Sequence, residues 1–425
     1  MPSKDRSYLE ESLPALGRYQ LMWSLGVLTL VSFLNYMDRM VLAVLLHPIG
    51  LELHLNDTQL GLLSGLAFAA LYATLGIPLA RMADRRSRVR LLAVCLALWS
   101  AMTAVTGLSR SFGQLFLARI GVGIGEAGCV PAAHSLIGSY FSSRQRPMAV
   151  SVFQAGALAG VSAGLLLTGL LADHFGWRAA LIILGVSGLP AVLLVLTLKE
   201  PVRSAATAFA ESTGATIRGL LSRRAFVHLA IAIAIGGFAN YGIAQWAPSF
   251  YVRSFGLSLS QVGLYVGAAA AIGGIGGVIT GGLVAEHLIA RDERWEIWLP
   301  GMVYALAAPL YAITFLSTTF EIALASSLAA NFAVSAGGGV ALSSIQSLAE
   351  VNRRAMAVAM VLFLSSFLGL GLGPLCVGLL SDALQPAFGQ ESLRYALLAS
   401  TSTLLWASTH FALSSRSYTF DRGNM

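Results

Sequence analysis

Twelve apolar stretches, each long enough to cross a lipid bilayer, determine what this chain can fold into. Their approximate limits are 20–47, 57–82, 88–108, 111–139, 145–171, 176–198, 225–252, 258–285, 295–317, 320–350, 354–382 and 392–414. About 20 apolar residues cross the hydrocarbon core as an α-helix, which satisfies its own backbone hydrogen bonds there. Charged residues make up only 11% of the chain, against about 25% in an average soluble domain. We therefore predict an all-α polytopic membrane protein with twelve transmembrane helices.

The connections between these spans predict the orientation of the chain. Basic residues concentrate in the two tails and in the even-numbered connections. The odd-numbered connections hold only four: Arg110, Arg178, Arg253 and Arg394. By the positive-inside rule, both termini are predicted to be cytoplasmic, in the inner or plasma membrane. The single long connection, 199–224, is predicted to be a cytoplasmic linker between an N-terminal six-helix half, 1–198, and a C-terminal half, 225–425.

Four of the spans end in one short pattern, a small residue followed four positions later by an acid. The pairs are Ala80/Asp84, Gly169/Asp173, Gly282/Glu286 and Gly378/Asp382. They close spans two, five, eight and eleven, which is the second helix of each successive unit of three. Because these ends alternate between the two sides of the membrane, neighbouring units are inverted. Inverted three-helix repeats in two parallel halves are typical of transporters, whose binding site lies near mid-membrane between the halves.

Four charged residues fall inside the spans, and all belong to the first third of the chain. They are Asp38, Arg39, Arg119 and Glu126. A charge at the bilayer centre costs about 2.5–3.5 kcal/mol even on mild scales, so it marks a functional site. Counted at 1.5 Å per residue, Asp38 and Arg119 lie at similar depths of about 12–13 Å, with Glu126 about 10 Å deeper on the face of Arg119. The spacing predicts that Asp38 and Arg119 pair.

Proton coupling is the chemistry that these groups predict. A carboxyl group that gains and loses an arginine partner during a conformational cycle binds and releases a proton. We therefore predict that Asp38 and Glu126, with Arg119, couple transport to protons. A permanent structural ion pair is the alternative for Asp38 and Arg119. Arg39 is turned about 100° from Asp38, and both a substrate role and a packing or snorkelling role remain open for it.

The span interiors of the second half offer neutral polar and aromatic side chains. They are Asn240, Tyr241, Gln245 and Trp246 in span seven, Asn331 and Ser335 in span ten, and Phe363 and Phe367 in span eleven. A cavity charged on one side and apolar on the other suits an amphipathic ligand. We predict that Asn240, Tyr241, Gln245, Trp246, Phe363 and Phe367 bind the substrate together with Tyr36, Arg39, Arg119 and Glu126. Ordinary helix packing is the alternative for each of the second-half residues.

Several segments resemble a known family. The stretch 80–90 resembles the signature between helices two and three of the major facilitator superfamily, with Ala80 and Ser87 in place of the usual glycines, and 119–125 resembles its fourth-helix pattern. Five segments are similar to the Spinster family of lipid-type transporters, in a short bacterial-type form: Asn35-Tyr36-Met-Asp38-Arg39, Trp99-Ser100, Gly123-Ile-Gly125-Glu126-Ala127, Gly176-Trp177-Arg178 and Trp246-Ala-Pro248.

The resemblance implies the major facilitator fold and secondary transport by alternating access. Its implied substrates are lysolipids, sphingoid phosphates or other amphipathic compounds, moved in some members with protons. It also implies that Asp84 and Arg85 belong to a charge network that closes the cytoplasmic gate when the protein is open to the outside. We place Arg88 and Arg144 in the same predicted gate.

Other classes of function lack their motifs. The chain has no His-Glu-x-x-His pair, no Ser/His/Asp grouping within the spans and no P-loop, which disfavours a membrane-embedded enzyme or an ATP-driven pump. No long soluble segment exists to serve a sensor. We predict a transporter, not an enzyme, without metal or cofactor, acting as a monomer. Its partners are then an amphipathic substrate, protons and the bilayer, with no nucleic acid. An uncoupled facilitator of lysolipids or other organic solutes is the alternative.

Overall fold

The computed structural model describes residues 17–142, 144–201, 213–350 and 353–423, which are helical almost throughout. Span one is Arg18–Leu53, span two is Asp57–Ser64 with Leu66–Arg85, and span three is Arg88–Gly107. Span four is Phe112–Ala127 with Cys129–Tyr140, and spans five and six together are Arg146–Ser187 with Leu189–Leu196. A short helix, Thr213–Leu221, precedes the second half. Spans seven to ten are Arg224–Phe255, Leu259–Ile289, Trp295–Leu316 and Phe320–Ser347. Span eleven is Arg354–Leu364, a π-helix Ser365–Leu372 and Gly373–Phe388. Span twelve, Ser392–Gly423, follows a 3₁₀ turn Gly389–Glu391.

The predicted all-α membrane architecture is confirmed. Within the described ranges, ten stretches are long and apolar enough to cross a membrane. Two of them, Arg146–Leu196 with 51 residues and Met356–Gly423 with 68, are each long enough to cross twice. The structure is therefore consistent with twelve crossings.

Spans five and six meet at Gly176 without an intervening loop. Gly176 has φ 81° and ψ 162° inside the otherwise helical stretch Arg146–Ser187, a conformation that glycine reaches without a Cβ clash. The residues that follow anchor the turn to span one. Trp177 Nε1 and Arg178 Nη1 each donate to the Glu52 carboxylate at 2.6 Å. This end of the first half is therefore tied together by side chains as well as by the backbone.

The two described chain ends lie on the same side of the helix bundle as the end of span six and the start of span seven. Trp23 in span one donates from Nε1 to Thr197 Oγ1 near the end of span six, at 2.9 Å. Asp421 in span twelve accepts from the backbone N–H of Ala225 at the start of span seven, at 2.8 Å. We call this side the terminal end and the opposite side the distal end.

At the distal end, span five meets the start of span eight. The Asp173 carboxylate accepts hydrogen bonds from the backbone N–H groups of Leu259 and Ser260, at 3.2 and 2.7 Å. A Cβ placed on Gly169 would lie 2.2 Å from the Leu259 carbonyl oxygen. The glycine thus allows close approach, and the acid four positions later caps the facing helix.

Span eleven repeats this arrangement against the start of span two. The Asp382 carboxylate accepts from the N–H groups of Asp57 and Thr58, at 3.0 and 2.8 Å. A Cβ on Gly378 would lie 2.2 Å from the Asp57 carbonyl oxygen. We call the two arrangements, Gly169/Asp173 and Gly378/Asp382 with the helix starts they cap, the distal clasps. Each of them joins one half of the protein to the other.

An ion pair reinforces the second clasp. Arg253 of span seven donates from Nη1 and Nη2 to the two carboxylate oxygens of Asp57, both at 2.7 Å. Ser381 Oγ donates to Asp57 at 2.6 Å, and Arg253 Nε lies 3.4 Å from His47 Nδ1 of span one. The distal end is therefore closed by contacts from both halves.

Open space lies beside parts of spans two and eight towards the terminal end. A Cβ on Gly263, near the start of span eight, would lie 2.4 Å from the Leu165 carbonyl oxygen of span five. Further along span eight, Gly274 and Gly282 have nothing within 4 Å of that position, and the same holds for Gly76 of span two. Span eight thus packs on span five in its distal part and faces open space at Gly274 and Gly282 further along.

Candidate substrate-binding site

The four intramembrane charges lie together inside the first half. Asp38 and Arg39 come from span one, and Arg119 and Glu126 from span four. The exposed fraction is 4% for Asp38, 9% for Arg39, 4% for Arg119 and 0% for Glu126. Since an isolated buried charge is unfavourable, each of these groups depends on the others for compensation.

Glu126 is paired with Arg39 and not with the arginine of its own helix. Arg39 Nε donates to Glu126 Oε2 at 2.7 Å. The guanidinium of Arg39 is therefore buried inside the protein and does not snorkel to the membrane surface. Asp38 and Arg119 lie in each other's electrostatic field, but the expected Asp38–Arg119 ion pair is not formed in this conformation, and Thr103 of span three lies beside the Asp38 carboxyl group.

Aromatic rings enclose the two arginines. The Arg39 Cζ atom lies 4.9 Å from the ring centre of Tyr36, 4.7 Å from that of Tyr72 and 5.5 Å from that of Phe68. The Arg119 Cζ atom lies 5.4 Å from the same Phe68 ring. Attraction between a cation and an aromatic face stabilises such contacts, more strongly where water is excluded. Phe68 therefore holds both guanidinium groups at one wall of the site.

A cavity of about 280 Å³ opens beside this wall, between the two halves. Its polar lining consists of Tyr36, Arg39, Ser64, Arg119, Asn240, Tyr241, Gln245, Tyr251, Tyr311, Thr314, Ser327, Asn331 and Ser335. Its apolar lining consists of Met40, Phe68, Leu158, Val161, Leu165, Ile243, Ala244, Ala247, Val266, Ala269, Ala270, Gly274, Phe315 and Leu370. Among these described residues two are cationic and none is acidic. Asp38 and Glu126 lie behind the arginines, outside the lining.

Some predicted binding residues face this cavity and others do not. Tyr36, Asn240, Tyr241 and Gln245 line it, as do Arg39 and Arg119. The remaining predicted residues, Glu126, Trp246, Phe363 and Phe367, are not part of its lining.

Trp246, Phe363 and Phe367 make packing contacts away from the cavity. Trp246 is fully buried and donates from Nε1 to the Pro374 carbonyl oxygen at 2.9 Å. Phe363 and Phe367 stack on each other, with ring centres 6.4 Å apart. Phe367 lies in the π-helix Ser365–Leu372, a rare geometry that often occurs at functional sites.

Sequence reasoning missed several aromatic residues of the site. Phe68, Tyr251, Tyr311 and Phe315 line the cavity, and Tyr72 contacts Arg39. An aromatic residue on an apolar helix has the pattern of ordinary core packing, so nothing in the sequence separated these five from the rest. The isolated polar residues of span ten were the better signal, because Asn331 and Ser335 do line the cavity.

The residues of the predicted cytoplasmic gate lie at the terminal end. The side chain of Asp84 falls outside the described part of the structure, and Arg85 and Arg144 are exposed. Arg88 instead bonds within the first half: its Nε donates to Glu200 Oε1 at 3.0 Å and its Nη1 to Ser139 Oγ at 2.7 Å. The gate remains a prediction, with Arg88 holding the start of span three to the end of span six.

Glu200 gathers several donors at this junction. Ser87 Oγ donates to it at 2.7 Å and the backbone N–H of Val89 at 3.0 Å. Burial alone would raise the pKa of Glu200, but these hydrogen bonds and the Arg88 guanidinium hold that pKa below its ordinary value.

Metal binding has no candidate in the part of the chain that the structure describes. No group of three or more His, Cys, Asp or Glu side chains converges there as a metal site would require. The site can therefore recognise a ligand through guanidinium charge, neutral polar groups and aromatic surface.

Known proteins are similar to this chain over most of its length. The model of the Major Facilitator Superfamily matches residues 28–374. The chain is 35% identical over 379 residues to an MFS-type efflux pump of Mycolicibacterium smegmatis, a match that covers 88% of both chains. It is 27% identical over 413 residues to the sphingosine-1-phosphate transporter SPNS2 of Danio rerio, which covers 88% of this chain and 80% of that protein.

Two solved structures of a bacterial homologue of the human lysosomal transporter Spinster are also similar. The inward-facing, unoccupied form has a TM-score of 0.86 and 29% identity, over 96% of this chain and 99% of that one. The inward-facing, occupied form has a TM-score of 0.82 and 28% identity, over 99% of both chains.

Proposed function

Because this chain belongs to the Major Facilitator Superfamily and to its Spinster-like members, we propose that it transports amphipathic anions and takes up a proton with each of them. The observation that carries the proposal is the distribution of charge around the cavity. Arg39 and Arg119 face the cavity, and the acids Asp38 and Glu126 lie behind them. An entering ligand therefore meets positive charge first.

An anionic headgroup suits this wall. A guanidinium group binds carboxylate or phosphate oxygens through paired N–H donors. Arg39 and Arg119 both line the cavity, and a guanidinium group has five N–H donors, of which the Glu126 carboxylate takes the one on Arg39 Nε, so both side chains keep donors for a ligand. A cationic headgroup would gain no acid in the lining to bind and would be repelled by both arginines.

The rest of the cavity suits a hydrocarbon tail. Leu158, Val161 and Leu165 of span five and Tyr311 and Phe315 of span nine form apolar or aromatic surface. At about 280 Å³ the cavity is slightly below the usual ~300–1,000 Å³ of ligand pockets. It therefore accommodates a headgroup and the first part of a tail, with the remainder extending towards the open terminal end.

Competition for Arg39 would couple the substrate to a proton. A substrate anion that binds the Arg39 guanidinium replaces the Glu126 carboxylate that now accepts from it at 2.7 Å. Without this partner, the fully buried Glu126 carries an uncompensated charge, which costs several kcal/mol in a low-dielectric interior. Protonation of Glu126 removes that cost. Substrate and proton are then loaded together, with Asp38 and Arg119 completing the charge balance.

The conformation and orientation complete the proposal. The distal clasps are closed, and span eight packs on span five in its distal part but faces open space further towards the terminal end. With cytoplasmic termini, as the basic connections predict, this conformation opens to the cytoplasm. The alternating conformation would open the clasps and close the terminal end, where Asp84, Arg85 and Arg144 lie.

Proton uptake on ligand binding tests the proposal directly. Purified protein in weak buffer with a pH indicator is titrated with lysophosphatidic acid, lysophosphatidylcholine or dodecyltrimethylammonium. The anionic lysolipid is expected to bind and to draw protons from solution, whereas the cationic amphiphile should do neither. Glu126→Gln should bind the anionic lysolipid without proton uptake.

The matched control is Glu296→Gln, which neutralises a buried acid of the second half that lies outside the cavity and is bonded to Tyr418. It should leave proton uptake unchanged. Binding of the anionic lysolipid with no proton uptake in the unmodified protein would establish the alternative, an uncoupled facilitator. Preferential binding of the cationic amphiphile would overturn the assignment of the headgroup.

A further inference from the structure

A row of polar side chains runs along one buried face of span one, away from the cavity. Ser32, Asn35 and Asp38 follow one another at intervals of three residues, which places them on the same side of the helix. All three are buried, and none of them lines the cavity. Thr103 of span three, also buried, lies beside Asp38.

Most of the polar atoms in this row have no hydrogen-bond partner. They are Ser32 Oγ, Asn35 Oδ1 and Nδ2, Asp38 Oδ2 and Thr103 Oγ1. Glu126 Oε1 and Arg119 Nε, next to them in span four, are also unpartnered. In the second half, across the described residues, the only comparable atom is Ser249 Oγ. Buried polar groups are nearly always satisfied by protein or by ordered water, so this concentration indicates bound solvent inside the first half.

The chemistry of the groups favours water over a cation. Asn35 presents both a donor and an acceptor, and a hydroxyl such as that of Thr103 can do either. Water can satisfy both kinds of group at once, whereas a metal cation binds only the acceptors. The charged groups that face Asp38 are Arg119 and Glu126 of span four and Arg39 of its own helix. The formal charges of these three groups and Asp38 sum to zero, so an added cation would leave a net positive charge in the interior.

We propose that Asn35 and Thr103 hold a cluster of ordered water molecules around Asp38, through which the Asp38/Glu126 carboxyl pair gains and loses protons. The inference rests on the proposed proton coupling and adds two positioning residues to it. The carboxyl groups of Asp38 and Glu126 are direct neighbours, close enough to share a hydrogen bond. The cavity does not include either carboxyl group in its lining. Protons bound at Glu126 therefore need a hydrated route that does not pass through the substrate, and the Asn35/Thr103 cluster supplies it.

Two substitutions of similar size remove the solvent-binding groups. Thr103→Val deletes a hydroxyl that lies beside the Asp38 carboxyl group without a hydrogen bond of good geometry, and valine keeps the shape of the side chain, so the fold should tolerate it. Asn35→Leu removes both amide groups. Ser249→Ala is the matched control, because it removes an unpartnered buried hydroxyl from the other half. Correct folding is verified for all three by monodispersity in detergent.

Two transport modes in proteoliposomes separate proton delivery from substrate handling. Proton-driven uptake of the anionic lysolipid requires protons to enter and leave, whereas exchange of labelled for unlabelled substrate requires no net proton movement. Thr103→Val and Asn35→Leu should slow proton-driven uptake by about tenfold, a modest loss for a proton-transfer path, and should alter its deuterium solvent isotope effect. Exchange should continue at the unmodified rate in both variants, and Ser249→Ala should change neither mode.

Each alternative outcome has a distinct meaning. Unchanged proton-driven uptake in both Thr103→Val and Asn35→Leu, with substrate-induced proton flux intact, would overturn the water cluster and leave the proposed function standing. Equal loss of exchange and of proton-driven uptake would show that the residues only maintain the fold. Uptake driven by a sodium gradient in place of a proton gradient would identify a cation site. Absence of substrate-induced proton flux in the unmodified protein would refute the proposed coupling, and this inference with it.

Discussion

Removal of one distal clasp should shift the protein towards the conformation in which the distal end is open. The Asp382 carboxylate accepts two backbone N–H groups, from Asp57 and Thr58, across the interface between the halves. These bonds exist only while the distal end is closed. Asp382→Ala therefore destabilises the closed conformation and leaves the open one unaffected.

The size of the shift follows from the bonds that are lost. A hydrogen bond to a charged group contributes about 1.5–3 kcal/mol, and the loss of a helix N-cap costs about 0.5–2 kcal/mol. Because Asp382 is partly exposed, water replaces some of the lost interaction, and we expect about 2 kcal/mol. That free energy corresponds to a change of about 30-fold in the equilibrium between the two conformations.

Distances across the distal end measure this equilibrium. Spin labels at the exposed positions Leu51 and Gln385, in a background without Cys376, report closed and open populations by pulsed electron resonance. Asp421→Ala is the matched control, since Asp421 also accepts from a helix-start N–H, that of Ala225, but within one half. Asp382→Ala should increase the longer distance, and Asp421→Ala should not. An unchanged distance distribution in Asp382→Ala, or the same change in both variants, would refute the reasoning.

Three further outcomes follow from contacts elsewhere in the structure. Gly263→Ala should increase the longer spin-label distance across the distal end, because its Cβ would lie 2.4 Å from a backbone carbonyl of span five. Gly274→Ala is the control and should leave the distances unchanged, because its Cβ would have nothing within 4 Å. The pKa of Glu200 in the folded protein lies below its ordinary value of 4.5, so its contribution to stability should be lost as the pH falls through that lower pKa. Glu200→Gln should therefore flatten the acid limb of a profile of melting temperature against pH, and an unchanged limb would contradict this. Tyr418→Phe removes the hydroxyl that donates to the buried Glu296 and should lower the free energy of unfolding by about 1–3 kcal/mol. Thermal denaturation measures this effect, and an unchanged melting temperature would contradict it.

The helices could be predicted from sequence because their ends are chemically marked. Span eight begins at Leu259, directly after Ser258, whose side chain caps it, and span three begins at Arg88 after Ser87. Long apolar runs between such markers have one stable form in a bilayer, so most predicted and observed ends agree within a few residues, whereas spans one, eleven and twelve continue as helix for six, six and nine residues beyond their predicted ends. The recurrence of a small residue and an acid was also visible, but its use as a clasp between halves became clear only when Asp173 and Leu259 were seen together.

The partner of Glu126 could not be predicted in the same way. Helical periodicity gives the face on which a Cα atom lies, and on that basis Arg39 points away from Asp38. The arginine side chain is long enough to turn back into the bundle, and the rings of Tyr36 and Tyr72 guide it there. Trp246 could not be placed from the sequence either. Its polar N–H suggested that it binds the substrate, but that N–H donates to a carbonyl group of a neighbouring helix.

The charge balance of the buried site has a consequence for how transport is energised. With both acids ionised, Arg39, Arg119, Asp38 and Glu126 carry no net charge in the empty protein, and a singly charged anion bound together with one proton keeps that sum at zero. A membrane potential of 100 mV does about 2.3 kcal/mol of work on each unit charge that crosses the bilayer. A carrier that is neutral both empty and loaded experiences none of that work during its conformational change. The pH difference across the membrane, and not the voltage, would then set the direction and the limit of accumulation.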